Sequence, residues 1–192
     1  MSTLTTESMS PLTSRPMSLL RVDFQELYTR HLCRHSQFGI NVAHLVALYA
    51  TWWAVYAAVY WLAVAALGQA EWVPAALAVL YFAVLVPNVP VRVLMVTAVF
   101  LALFVLSVLW VPLLPGWAFW VYLVIIPAFY KLQSWSHRVW TVERDMTEFN
   151  KKYTKGSVLF VVLLFYEIPL VLNYLVLQPG DWKAATVGAK DH

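Results

Sequence analysis

The chain has 192 residues, of which 61% are hydrophobic, 16% aromatic and 12% charged, and its net charge is +3. Soluble domains usually carry about 25% charged and about 45–50% apolar residues, so this composition predicts a membrane protein instead. The single cysteine, Cys33, excludes a disulfide scaffold. The small positive charge does not indicate nucleic acid as a partner, and it fits a membrane surface.

The polar ends of the chain differ from its apolar middle. Residues 1–17 are rich in Ser, Thr and Pro and are predicted to form a disordered tail. Residues 18–35 place apolar side chains at helical spacing among charged ones, which predicts an amphipathic helix on the membrane surface. We therefore expect one membrane-embedded helical domain over residues 18–178 and a polar tail over residues 179–192.

The apolar middle of the chain is divided by Gly and Pro motifs. Residues 40–130 contain only two charged side chains, Glu71 and Arg92, and a charged segment, residues 131–155, follows them. At about 20 residues per span, this predicts an all-α polytopic membrane protein with about five transmembrane helices. The predicted spans are residues 40–67, 72–86, 93–114, 117–130 and 156–177.

The distribution of Lys and Arg predicts the orientation of these spans. Four arginines precede the first span, Arg92 follows the second, and most of the remaining basic residues lie in the segment 131–155. With five spans, all of these face one side. We therefore expect an integral, multi-pass protein of the bacterial inner membrane or the endoplasmic reticulum, with its N-terminus cytoplasmic and its C-terminus on the opposite side.

Histidine is the residue type that most strongly suggests chemistry in this chain. Two histidines are four residues apart and share one helix face, a third opens the first span, and a fourth follows the fourth span. Neutral imidazole binds Fe, Zn, Cu and Ni, so the cluster predicts a metal site at the cytoplasmic boundary. The alternative is that these are ordinary amphipathic residues at the headgroup level. The predicted metal ligands are His31, His35, His44 and His137.

Glu167 lies at the centre of the fifth predicted span. An acidic side chain at the centre of a membrane costs about 2.5 kcal/mol or more, so it needs a partner. It is either a pocket residue for a polar head group or a proton relay, or a protonated carboxyl bonded to a carbonyl freed by the kink at Pro169. We group Glu167 with Asn41 and Gln133, which can orient a metal ligand or oxygen, as the candidate catalytic residues.

These residues together resemble a known family. A cluster of Tyr, His, Asn and His opens the first span, a Gln-x-x-x-His motif follows a later span, and a Glu lies beyond it. The pattern resembles the membrane 2-hydroxy-fatty-acid dioxygenases of fatty-acid α-oxidation. The residues that carry the resemblance are Tyr28, His31, His35, Asn41, His44, Gln133, His137 and Glu143.

The resemblance implies an enzyme that binds Fe²⁺ through histidines and uses O₂ to shorten a 2-hydroxy fatty acid by one carbon. The chain departs from the family in having no Pro between His35 and Asn41, and in having Ser136 where the family has Gly. We therefore expect a metal-dependent oxygenase acting on a lipid or fatty acid, with the bilayer and a lipid-like substrate as partners.

Two alternatives remain open from the sequence. One is a non-enzymatic membrane scaffold or assembly partner, since ten Trp and ten Tyr offer a large contact surface. The other is a haem-binding membrane protein with His44 and His137 as axial ligands. The sequence does not determine the oligomeric state, and a homo-oligomer stays open.

Overall fold

The structure of the chain, a computed structural model, describes residues 18–140 and 157–181, which form helices and turns without a β-strand. The prediction of an all-α fold is confirmed. The tail of residues 1–17, residues 182–192 and the charged stretch around Glu143 lie outside the described residues. The helices are α1 (Phe24–Arg34), α2 (Phe38–Leu67), α3 (Trp72–Leu85), α4 (Val91–Trp110), α5 (Trp120–Trp140) and α6 (Ser157–Leu172), with a 3₁₀ turn at Gly116–Ala118 and a π-helical turn at Asn173–Leu177.

Both ends of α1 and the end of α2 have residues that cap the helix. Asp23 caps α1, because its Oδ1 accepts a hydrogen bond from the backbone N–H of Glu26 at 3.0 Å. The helix ends at His35, whose N–H donates to the carbonyl of His31 at 2.8 Å. α2 ends at Gly68, which has a φ of +79° that residues with a Cβ rarely adopt.

Helices α2 to α5 run up and down beside one another. The α3–α4 turn lies at the α1 end of the bundle, where Asn88 Oδ1 accepts from the backbone N–H of Val22 at 3.1 Å. The α4–α5 connection lies at the other end, where Trp61 Nε1–H donates to the carbonyl of Leu114 at 2.9 Å. Because α2, α3, α4 and α5 alternate in direction, the C-terminal end of α5 lies at the same end of the bundle as α1.

The packing of α5 against α2 decides where the site forms. Small residues allow the two helices to approach closely, since Ala54 and Ala57 are buried in one cluster with Tyr122. At the opposite end of the pair, a Cβ on Gly39 would lie 2.8 Å from Cε2 of Trp140. The last turns of α5 are therefore held against the first turns of α2.

Helix α6 lies along α1 at one end of the bundle. Phe24, Leu27 and Tyr28 of α1 share a core cluster with one face of α6 and the π-helical turn after it, formed by Val162, Tyr166, Leu170 and Tyr174. The opposite face of α6 packs against the first halves of α2 and α4, including Leu48 and Val96. Glu167 lies near the middle of the apolar segment Phe160–Leu177, as the sequence predicted, and its carboxylate is level with the second turn of α2, where it contacts His44.

Three helices in the described ranges are long and apolar enough to cross a membrane, judged by length and composition. The structure therefore has helices suited to a membrane protein, but fewer than the five spans expected. α3 has 14 residues and rises about 21 Å, which is short of a bilayer core of about 30 Å. α5 carries Lys131, Gln133 and Arg138 in its second half, which lower its hydropathy. The three helices are Phe38–Leu67, Val91–Trp110 and Phe160–Leu177.

The two ends of the described chain meet at α1. The Tyr28 hydroxyl donates a hydrogen bond to Asp181 Oδ2 at 2.7 Å. Burial and the adjacent carboxylate raise the pKa of Tyr28, so the phenol keeps its proton and remains the donor. Asp181, the last described residue, therefore lies beside α1, and the orientation of the chain in a membrane stays a prediction.

We expect cysteine labelling in membranes to show this arrangement. In a Cys33→Ser background, Pro87→Cys and Gln178→Cys should react with an impermeant reagent from the same side, because both positions are exposed near the α1 end. Trp117→Cys, exposed at the other end of the bundle, should react from the opposite side. Labelling of Gln178→Cys together with Trp117→Cys would instead support an odd number of crossings.

Candidate metal centre

Three imidazole rings meet at the end of the bundle beside α1. His35 follows α1, His44 lies in the second turn of α2, and His137 lies in the last turn of α5. Their ring centroids are 4.5 to 4.9 Å apart. One ring nitrogen from each residue lies within 4.8 Å of the other two, so a small inward movement brings all three to a metal–nitrogen distance of about 2.0–2.1 Å. The three histidines can therefore hold a metal ion.

Hydrogen bonds fix the direction in which two of these rings present a lone pair. His35 Nδ1–H donates to the carbonyl of His31 at 3.3 Å, and His44 Nδ1–H donates to Glu167 Oε1 at 2.8 Å. In both rings Nε2 is therefore the unprotonated nitrogen. Both Nε2 atoms are buried and have no hydrogen-bond partner among the described residues. Buried imidazole nitrogens without a partner fit a metal ligand, since the bound ion supplies the missing contact.

Glu167 connects the metal-ligand rings to α5 and α6. Its Oε1 accepts from His44 Nδ1–H at 2.8 Å and from the side-chain amide of Gln133 at 2.7 Å. A carboxylate on the far nitrogen of a ligating histidine fixes its tautomer and raises its basicity. Glu167 and Gln133 therefore act through His44, and among the described residues Glu167 bonds to these two side chains rather than to a carbonyl freed by Pro169.

His31 lies beside the cluster and faces a different partner. Its Nε2 is 2.7 Å from Asn41 Oδ1, so this nitrogen carries the proton and is not directed at the three-histidine cluster. The His31 ring stacks on His35, with centroids 4.4 Å apart and planes 9° apart. The structure thus brings together His35, His44 and His137, and it places His31 as a support for the His35 ring.

Asn41 holds the connection between α1 and α2. Its amide nitrogen donates to the carbonyl of His35 at 2.6 Å and to that of Gln37 at 2.9 Å, while its oxygen accepts from His31. All of its hydrogen-bonding groups are therefore used by the protein. Asn41 positions His35 through the backbone, and it has no donor left for a bound substrate or oxygen.

Burial keeps the imidazoles beside α1 in the neutral form. It lowers the pKa of His31 to about 4, although the Asn41 hydrogen bond opposes this shift. Burial and the neighbouring imidazoles lower the pKa of His35 well below its usual value. Neutral imidazole is the form that binds metals, so these rings are in the metal-binding form near pH 7.

A cavity of about 650 Å³ opens beside the three histidines. Arg30 and Arg34 line it from α1, and Glu167 is the one acidic residue in its lining among the described residues. Among the described residues, the lining therefore carries two arginines and one glutamate, and the glutamate is bonded to His44. The rest of the lining is mostly apolar. The cavity therefore suits an anionic head group attached to an apolar body.

Comparisons of the chain with known protein families, with curated proteins and with solved structures gave no match. The functional argument therefore depends on the residues and their geometry.

The sequence did not indicate two features of the site. The His44–Glu167 pair joins residues 123 positions apart, and no local spacing predicts it. The only signal was the energetic cost of an unpartnered Glu in an apolar segment, which requires a partner without identifying one. Arg30 and Arg34 were interpreted only as markers of orientation, and their place in the cavity depends on how α1 packs.

Glu167→Gln should weaken metal binding about 10- to 100-fold, because the amide no longer supplies the carboxylate that orients His44 and increases its basicity. Metal affinity is measured by competition with a chelator in the purified protein. Glu71→Gln, a matched change at an exposed residue at the far end of the bundle, should have no effect. If Glu167→Gln binds metal as tightly as the unaltered chain while His44→Ala does not, Glu167 has no role in positioning the ligand.

Proposed function

We propose that the chain is a membrane-embedded metal oxygenase that acts on a fatty acid or a related lipid. The observation that carries the proposal is the set of three buried imidazoles whose ligand atoms lie within 4.8 Å of one another beside a large, mostly apolar cavity. Three protein ligands leave coordination positions open, which is typical of catalytic rather than structural metal sites. The helices suited to a membrane give a lipid substrate direct access to this cavity.

Iron(II) is the metal we propose for the site. Imidazole ligands are compatible with Fe, Zn, Cu and Ni, so the donor set alone does not distinguish them. The resemblance to the 2-hydroxy-fatty-acid dioxygenases favours iron, and three of the residues that carry it, His35, His44 and His137, form the cluster. When bound, the metal would supply the redox chemistry needed to use O₂.

The side chains around the cluster have separate tasks in this proposal. His35, His44 and His137 hold the ion, and Glu167 with Gln133 keeps the His44 lone pair directed at it. Arg30 and Arg34 attract the carboxylate of the substrate into the cavity. The apolar walls exclude water around the reacting carbons.

The reaction implied by the resemblance balances without a further co-reactant. One 2-hydroxy fatty acid and one O₂ give the acid one carbon shorter, one CO₂ and one H₂O. All four electrons that O₂ accepts come from the carboxyl end of the substrate. The chain therefore needs no cofactor-binding domain for an external reductant.

The haem alternative is less well supported. The ring centroids of His44 and His137 are 4.8 Å apart, and this leaves no space for a porphyrin between two axial imidazoles. The scaffold alternative requires no metal, so metal content separates it from the oxygenase.

Purified protein in lipid nanodiscs should contain about one equivalent of iron without a haem absorption band. With a 2-hydroxy fatty acid and O₂, it should release the acid one carbon shorter, and consume one O₂ for each molecule formed. His137→Ala should lose most of the bound iron and all turnover, because it removes one of three ligands. The parent fatty acid without the 2-hydroxyl group is the matched substrate control and should not react.

Each result that contradicts the proposal supports a different function. Protein without metal supports the scaffold, and a Soret band supports haem. Iron bound without consumption of O₂ would leave a metal site that does not act as an oxygenase on these acids. His31→Gln keeps an N–H donor near Asn41 and should retain more iron than His137→Ala, since His31 supports the cluster without joining it.

A further inference from the structure

A second cavity lies further along α2 than the cavity beside the histidines. It has a volume of about 380 Å³, is lined by α2, α3, α4 and α6, and is partly open to the outside of the bundle. Its lining has no Asp, Glu, Lys, Arg or His, and consists of aromatic and aliphatic side chains such as Tyr56, Phe104 and Ile168. This cavity can take only an apolar ligand, and it has no role in holding the metal.

Trp52 is the residue that lines both cavities. It lies two turns along α2 from His44, so the two cavities follow one another along the same helix. Its indole Nε1–H is buried and has no hydrogen-bond acceptor among the described residues. A buried Trp N–H usually has an acceptor, and Trp52 is an exception. Its ring is instead held by ring contacts, including an edge contact with Tyr56 at a centroid distance of 6.4 Å. Rotating the ring therefore breaks no hydrogen bond in the described part of the chain.

The two cavities differ in the charged side chains of their linings. Arg30 and Arg34 line the first cavity with the histidines, and the second cavity has no charged group. The two linings together fit a ligand with an anionic head group at one end and a long apolar tail at the other. A fatty acid has this form, with its carboxylate near the arginines and its tail directed past Trp52.

We infer that the second cavity receives the distal end of the substrate's acyl chain, and that Trp52 and the cavity walls set the chain length accepted. The inference rests on the proposed function, because it places the head of the same fatty acid beside the metal ligands. It adds a specificity-determining region that is separate from the metal centre. Val59 and Leu80 in its lining are exposed on the outside of the bundle, so a bilayer lipid is the competing occupant.

A filling variant tests the second cavity. Binding of fatty acids of increasing chain length is measured for the full chain without O₂, so that no substrate is consumed. Val84→Phe reduces the second cavity and should weaken binding of long-chain acids about fourfold for each methylene group excluded, while medium-chain acids bind unchanged. Val99→Phe, the same change at an exposed position of α4 outside both cavities, is the matched control and should leave all affinities unchanged.

A contact measurement tests Trp52 directly and does not depend on the filling variant folding. Fatty acids with bromine at successive positions should quench the part of the fluorescence that is missing in Trp52→Phe. We expect quenching to be strongest for bromine in the middle of the chain and weak for bromine next to the carboxylate. Equal quenching from all positions would mean that Trp52 contacts bulk lipid, and it would overturn the inference.

Binding and turnover separate failure of this inference from failure of the proposed function. Length-dependent binding that Val84→Phe alters, without turnover under O₂, rejects the oxygenase and keeps the acyl-chain site. Turnover with a chain-length preference that neither Val84→Phe nor Trp52→Ala changes keeps the oxygenase and rejects the acyl-chain site.

Discussion

The site depends on one carboxylate oxygen, Glu167 Oε1, which accepts hydrogen bonds from two other helices. It bonds to His44 of α2 and Gln133 of α5, and it is carried by α6. A carboxylate among apolar helices is costly without partners, so three helices must meet at this point for any of them to be stable there. The same contact selects the proton position on His44 that leaves Nε2 available to a metal. One carboxylate oxygen thus joins three helices and orients a metal-ligand ring.

The turn between α1 and α2 has a comparable role on the other side of the cluster. Asn41 joins the His31 ring to the backbone at His35 and Gln37, and its three hydrogen bonds are all shorter than 3.0 Å. The end of α1 is therefore fixed relative to the start of α2, which gives His35 one position beside His44. Short-range contacts build this half of the cluster, and long-range contacts build the half that contains Glu167.

The sequence predicted the features that depend on local pattern. Apolar segments separated by Gly and Pro gave the all-α fold and most helix positions, and the histidines of the cluster were among those chosen. The role of His31 was missed because helical spacing shows that it shares a face with His35 but not which partner its ring meets. The contacts of α6 could not be predicted, because its apolar composition fits a helix that crosses a bilayer and does not indicate which helices pack against it.

The spacing of the three ligands along the chain has a consequence for folding. His35 and His44 are nine residues apart and come together when the α1–α2 turn forms, whereas His137 arrives only after α5 has returned along α2. A two-ligand site therefore exists early in folding and the third ligand completes it late, since non-local contacts form more slowly. If His35 and His44 bound an ion first, the third bond, to His137, would stabilise the packing of α5 against α2. The bound metal would then stabilise the packed helices. Depletion of the ion during synthesis would slow assembly of the helices that form the cavity.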